Sequence, residues 1–333
     1  MRTLLKILGG VLLAVLALVL GGVSYLALRK PASRPTTSAP FEATPARLAR
    51  GEYLVLHVSD CLDCHSDHLN SFDVPIKPGT EGQGGFPFRK EFGVPGLVCA
   101  QNITPDADYG LGNWTDDEIM RAIREGVDRN GDALFPMMPY VHFAHMSDED
   151  AKSVVVYLRT LQPIHRSVPP RSIDFPVNLM IKFVPKPITH AVPQPDEKDN
   201  LKYGEYLTHI GGCIECHTPH DDKGRLIESK PFAGGWTMIG PWGRVVTSNL
   251  TPSKDSYIGR ATREEFIGRF HAFATMNADN APQTAKGRNT IMPWLALSHM
   301  TDHDLGAIYD YLKTLKPIEG KINSFPDADA NVK

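Results

Sequence analysis

The sequence predicts a mainly α protein: two tandem copies of one helical domain with long loops, preceded by a single N-terminal transmembrane helix. Three observations predict it. A charge-free apolar run fills the N-terminus from Ile7 to Leu28. A set of short motifs recurs in the same order in both halves of the remaining chain. The segments between those motifs carry helix-start signals, with no strong apolar–polar alternation of the kind that marks strands.

The apolar run "ILGGVLLAVLALVLGGVSYLAL" is 22 residues long. As a helix it would reach roughly 33 Å, enough to cross a hydrocarbon core of about 30 Å. A cleaved secretory signal has a shorter apolar region and a small-residue cleavage site. No clear site of that kind precedes Arg29 and Lys30, so the run reads as an uncleaved anchor (residues 1–30) ahead of a cleaved signal. Basic residues flank it on both sides, Arg2 and Lys6 before, Arg29, Lys30 and Arg34 after. Charge alone therefore does not orient it. The proline-rich stretch 31–46 reads as a semi-extended stalk.

Beyond the stalk the repeat is explicit. "GEYL" occurs at Gly51–Leu54 and Gly204–Leu207, "NITP" and "NLTP" begin at Asn102 and Asn249, and "MPY" and "MPW" begin at Met138 and Met292. "HMSDED" and "HMTDHD" begin at His145 and His299, followed by "YLRTLQPI" and "YLKTLKPI" from Tyr157 and Tyr311. This order describes a duplicated domain of about 120 residues. The division it predicts is 47–165 and 199–320, with a proline-rich linker at 166–198 and a tail at 321–333. In each copy one helix begins near Gly-Glu-Tyr-Leu. A second begins at Thr115 or Thr262, each with a glutamate three residues on, which is a capping-box pattern. The last begins at Ser147 or Thr301 and is stopped by Pro163 or Pro317. Charged residues are 22% and hydrophobic residues 42% of the chain, ordinary for a globular protein. A formal net charge of −3 supplies no basic field for nucleic acid.

The chemistry is carried by "CLDCH", Cys61 to His65, and "CIECH", Cys213 to His217, which use four of the five cysteines. A Cys-x-x-Cys-His run attaches haem c: Cys61 and Cys64, or Cys213 and Cys216, add to the vinyl groups, and His65 or His217 ligates iron from one face. A thioredoxin-like dithiol needs no such histidine. A shared structural zinc would leave both histidines unexplained. Two covalently bound haem c groups are therefore expected. Because haem attachment takes place outside the cytoplasm, the soluble part is expected in the periplasm, tethered to a bacterial inner membrane.

The opposite axial position decides what each haem does. Met137, Met138 and Met146 are the first copy's candidates. Met138 aligns with Met292, each directly before proline and an aromatic residue, whereas Met137 aligns with Ile291. Met146 and Met300 precede helix caps, where core packing is the simpler role. His145 and His299 also match and keep bis-histidine ligation open. Cys99 faces Val246 in this register and reads as a buried, inert thiol. Pro105 and Pro252 are candidates to present a carbonyl to the ring N–H of the haem histidine, and Asn102 and Asn249 to bond a propionate. Trp114 is replaced by Ala261, and Tyr140 by Trp294, so the two pockets differ.

These residues resemble the multihaem cytochrome c subunits of bacterial membrane-bound alcohol and aldehyde dehydrogenases. "NITPD…GLGNWTDDEI" from Asn102, "ALFPMMPY" and "MSDEDAKSVVVYL" look like that family's recurring domain, over roughly 46–320. The resemblance implies class I cytochrome c domains, with Met138 directly, and Met292 by the repeat, as the distal iron ligands. It departs in having two haem motifs rather than three, an N-terminal anchor, and seven extra residues before Met292. The function implied is electron transfer, without catalysis, from a dehydrogenase subunit or quinol to an oxidase, a quinone or a soluble carrier. A dihaem enzyme, such as a peroxidase or thiosulfate dehydrogenase, is the alternative; it needs an open axial site or Cys99 as ligand.

Overall fold

A computed structural model describes residues 1–69, 75–222, 224–240, 243–277, 279–280 and 291–327. The N-terminal run forms α1 (Arg2–Leu28), with no buried residue. It is long and apolar enough to cross a membrane.

The first half then runs α2 (Pro45–Tyr53), a π-helical turn (Leu54–Val58), α3 (Cys61–His65), β1 (Pro87–Phe88), β2 (Gly96–Cys99), α4 (Asp116–Glu125), α5 (Tyr140–Phe143) and α6 (Asp148–Leu158). The linker supplies β3 (Ser172–Ile173) and α7 (Val177–Met180). The second half repeats the plan as α8 (Asn200–Ile210), α9 (Cys213–His217), β4 (Thr237–Gly240), β5 (Gly243–Val246), α10 (Tyr257–Arg260), α11 (Arg263–His271), α12 (Trp294–Leu297) and α13 (Asp302–Thr314). Each half carries a small antiparallel sheet, β1–β2–β3 and β4–β5. Strands of two to four residues are too short to show a period, which is why the sequence reading contains none.

The helix starts are as the sequence expects. Thr115 with Glu118, and Thr262 with Glu265, form complete capping boxes. Ser147 and Thr301 cap α6 and α13. There the acid at the third position does something else: its backbone N–H is capped, and its carboxylate reaches across to the other half.

The recurring "GEYL" has a steric cause. A Cβ on Gly51 would lie 2.0 Å from the Ser153 carbonyl oxygen, and one on Gly204 1.9 Å from that of Ala307. Only glycine lets α2 cross α6, and α8 cross α13, at this distance. The spacing from Gly51 to Cys61 is one residue longer than from Gly204 to Cys213. The π-helical turn after α2 absorbs the extra residue, so both cysteine motifs leave their helices in equivalent positions.

The two halves exchange equivalent contacts. Tyr206 donates to Asp150 Oδ2 (2.6 Å), and Tyr53 donates to Asp304 Oδ2 (2.8 Å). Their hydroxyls also accept from the Ser147 and Thr301 amides. His145 stacks on His209 at 4.5 Å, and His57 lies 5.3 Å from His299. Buried side chains from both halves, Leu54 and Leu158 with Leu207 and Leu312, belong to one apolar cluster. At about 1.5–3 kcal/mol per fully buried large apolar side chain, such a cluster binds the halves strongly.

The stretch 31–46 is extended up to the Thr44 cap of α2, as its prolines require, but it is not a free spacer. Arg34 pairs with the buried carboxylates of Asp117 (2.6 Å) and Glu125 (2.7 Å). The Thr37 and Phe41 amides donate to Asp117 and Asp116. The expected reach of this stalk is therefore corrected: it is strapped to the first half.

Two predictions follow from the packing. Gly204→Ala should destabilise by about 1–3 kcal/mol through backbone overlap. Gly268→Ala, on the exposed side of α11 with nothing within 4 Å, should be neutral or gain roughly 0.5–1 kcal/mol. Guanidinium unfolding of the purified chain checks both. The second prediction concerns acid. Burial lowers His209 to about 4, with His145 and His142 nearby adding to the effect. Below pH ~6.5 the unfolded chain takes up a proton that the folded chain refuses until about pH 4, so stability should fall across that window. His209→Gln should flatten the dependence of the unfolding midpoint on pH there.

Candidate haem sites

Each cysteine motif forms a five-residue helix entered through a left-handed residue, Asp60 (φ 45°) or Gly212 (φ 66°). On such a helix the cysteines at i and i+3 and the histidine at i+4 share one face. Burial pushes the Cys61 and Cys216 thiols up to about 12 and Cys213 up to about 11, and Cys64 is also raised well above its usual value. A redox dithiol working through a thiolate needs the opposite shift.

Both histidines are oriented from behind. His65 Nδ1 donates to the Gln101 carbonyl (2.6 Å), and His217 Nδ1 to the Ser248 carbonyl (2.8 Å). This leaves each Nε2 with its lone pair, and burial keeps both rings neutral by lowering their pKa. The orienting carbonyls sit two residues past the ends of β2 and β5, and one residue before the matched asparagines. The expectation for Pro105 and Pro252 is thus corrected, because a carbonyl four residues earlier makes the bond.

The asparagines are corrected too. Asn102 Oδ1 accepts from the Thr104 amide and hydroxyl, while Nδ2 donates to Ile164 and Arg166 carbonyls. Asn249 does the same with Thr251 and Ile318. Both are buried and act as loop braces, and Asn102 is fully engaged in that role.

The sequence reading missed a glycine pair. Gly84 and Gly234, at φ +70° and +67°, donate their amides to the His65 and His217 carbonyls. A Cβ on either would lie within 2.5–2.6 Å of the strand leading to the orienting carbonyl. The signal was present: a Gly-Gly step follows each motif, at Gly84–Gly85 and Gly234–Gly235.

In the second half a cavity of about 250 Å³ separates the motif from the Met-Pro loop. Cys213, Cys216 and His217 line it together with Met292 and Trp294. In the first half Cys61 and Met138 border one apolar cluster, while Met137 packs with Cys64 and Phe135 around another. The turn after each methionine is the same: the Tyr140 amide donates to Met138 (2.8 Å) and the Trp294 amide to Met292 (2.7 Å). The seven additional residues before Met292 fall largely at 281–290, outside the described residues.

The competing ligands are placed elsewhere. Met146 and Met300 are 1% and 2% exposed and pack in the core, although Met300 also borders the cavity. His145 and His299 pair with His209 and His57 between the halves. Cys99 ends β2, as Val246 ends β5; it is buried, and burial raises its thiol. Among the described residues no cluster of three or more His, Cys, Asp or Glu could hold a metal ion, which removes the shared zinc. The neutral histidine, the paired cysteines and an apolar cavity closed by a methionine fit a covalently held haem.

No protein-family model matches the chain. It is similar to a diheme cytochrome c-type protein of Cereibacter sphaeroides, 30% identical over 300 residues that cover 86% of this chain and 93% of that one. It is also similar to the gluconate 2-dehydrogenase cytochrome c subunit of Pantoea cypripedii, at 30% identity over 91% of this chain. The cytochrome c subunit of the quinone alcohol dehydrogenase of Gluconobacter oxydans is 27% identical over 84% of this chain. The chain spans 65% and 57% of the lengths of these two subunits.

Proposed function

Starting from the premise that the chain belongs to the dihaem c-type cytochrome family, as its similarity to the Cereibacter protein shows, we propose that it is a membrane-tethered electron relay. It takes electrons from a membrane-bound or periplasmic dehydrogenase, or from quinol, and passes them to an oxidase, a quinone or a soluble carrier of the respiratory chain. It is an electron-transfer subunit, not a catalyst. The cytochrome subunits of gluconate, alcohol and fructose dehydrogenases among its relatives support this partner class.

Two covalently bound haem c groups would supply reversible one-electron chemistry. Cys61, Cys64, Cys213 and Cys216 attach them. His65 and His217 hold one axial position, with their rings aimed by the Gln101 and Ser248 carbonyls. Met138 and Met292 hold the other, and their thioethers raise the potential and leave no position for a substrate. The mostly apolar lining of the second cavity disfavours water and polar ligands there, which suits outer-sphere transfer.

The observation that carries the relay is the meeting of the two helix ends that lead into the motifs. Ser59 Oγ donates to the Ile210 carbonyl (3.1 Å), two residues before Cys61 and three before Cys213. This contact brings the starts of the two motifs near one another, which supports transfer between them. Periplasmic haem domains, with α1 as a single-pass anchor in the inner membrane, follow from haem attachment outside the cytoplasm. The unit boundaries at 47–165 and 199–320 are part of the same reading.

Met138→Ala and Met292→Ala should each abolish the methionine–iron charge-transfer band of one haem and lower its potential. Met137→Ala and Met146→Ala should leave both bands. Optical redox titration reads this directly; loss of a band in Met137→Ala alone would shift the assignment by one residue.

A further inference from the structure

The linker between the halves is the least expected surface in the molecule. Among the described residues that follow α1, eight large apolar side chains are exposed, and three of them, Phe175 (69%), Met180 (60%) and Phe183 (51%), fall within nine residues. The segment is α7 followed by a 3-10 turn, Ile181–Phe183. Met180 and Phe183, three apart, share a face. Ile181, 5% exposed, faces the body. Scattered exposed apolar residues are ordinary, but a contiguous set is not.

The position of this segment indicates what covers it. Lys182 Nζ donates to the Leu26 (3.2 Å) and Ala27 (2.5 Å) carbonyls in the last turn of α1. The Arg29 guanidinium lies 4.6 Å above the Phe183 ring. Tyr25 and Leu28, both exposed, end the helix beside it. The strap beyond allows little swing: Lys30 pairs with Asp132 (2.6 Å) and Arg34 with Asp117 and Glu125. The face therefore stands level with the end of the membrane-spanning helix. Arg29 lies on the face and Lys182 in it, and the sequence from 174 to 186 carries Lys182 and Lys186 against one acid, Asp174. Aromatic and long apolar side chains rimmed by cations suit the boundary between acyl chains and anionic headgroups.

We propose that residues 175–183 form a second, interfacial membrane contact. Phe175, Met180 and Phe183 enter the headgroup–acyl boundary beside the end of α1, Arg29 and Lys186 meet lipid phosphates, and Lys182 ties the segment to α1. The contact sets the height and tilt of the haem sites above the bilayer. It rests on the reading of α1 as an uncleaved anchor, and its occupant is lipid, because the patch is continuous with the helix that enters lipid.

The test uses the haem-loaded full chain in nanodiscs of phosphatidylethanolamine and phosphatidylglycerol. Photoreactive benzoylphenylalanine is introduced singly in place of Leu16, Met180, Phe183 or Arg225, and lipid adducts are read by intact mass after illumination. Adducts are expected for positions 16, 180 and 183, and none above background for exposed Arg225. Adducts at 16 without any at 180 and 183 overturn the interfacial contact while the anchor stands, and leave the face to a protein partner. No adduct at 16, 180 or 183 overturns both.

Discussion

Two buried hydrogen bonds, Tyr206 to Asp150 and Tyr53 to Asp304, hold together what the rest of the structure depends on. Each joins the helix that leads into a haem motif in one half to the last helix of the other half. Asp150 and Asp304 are 2% and 4% exposed, so an unpaired carboxylate at either place would carry a full desolvation cost. Burial raises both tyrosine hydroxyls far above their usual range, so they remain donors at any physiological pH. With these bonds in place the helices that lead into the two motifs meet at Ser59 and Ile210, and the glycine crossings at Gly51 and Gly204 set how closely each of those helices lies on its partner.

The duplication is not exact where the sites differ, and the differences are physical. Arg50 stands where the second half has Tyr203, and it adds a bidentate pair to Asp150 that Asp304 lacks. His142, whose aligned residue is Ala296, bonds Glu215 at 2.9 Å inside the second cysteine motif. The first pocket packs Trp114 against its cluster, whereas the second packs Trp294 against Phe273 at 4.6 Å. Local charge and hydrogen bonding set haem potentials, so unequal potentials are the natural consequence.

Much of this was legible in the sequence. The repeat, the anchor-length helix, the capping boxes and the attachment motifs each rest on local chemistry that a sequence displays. What escaped depends on contacts between distant segments. The Gln101 and Ser248 carbonyls carry no side-chain signal, so a sequence reading gives their role to the visible prolines nearby, and the long-range bracing by Asn102 and Asn249 is equally hidden. The strap at 31–46 looked like a spacer because its anchoring carboxylates, Asp117 and Glu125, lie about 80–90 residues away. The short strands lacked a period, and the π-helical turn was visible only as a one-residue mismatch between two repeat spacings.

The proposed relay is a closed dihaem unit in which both irons carry histidine and methionine. Low-temperature electron paramagnetic resonance of the fully oxidised, full-length protein, integrated against chain concentration, tests it most directly. The account predicts two low-spin ferric centres per chain and no high-spin component. A single centre per chain, or a high-spin signal from an open axial position, would contradict it.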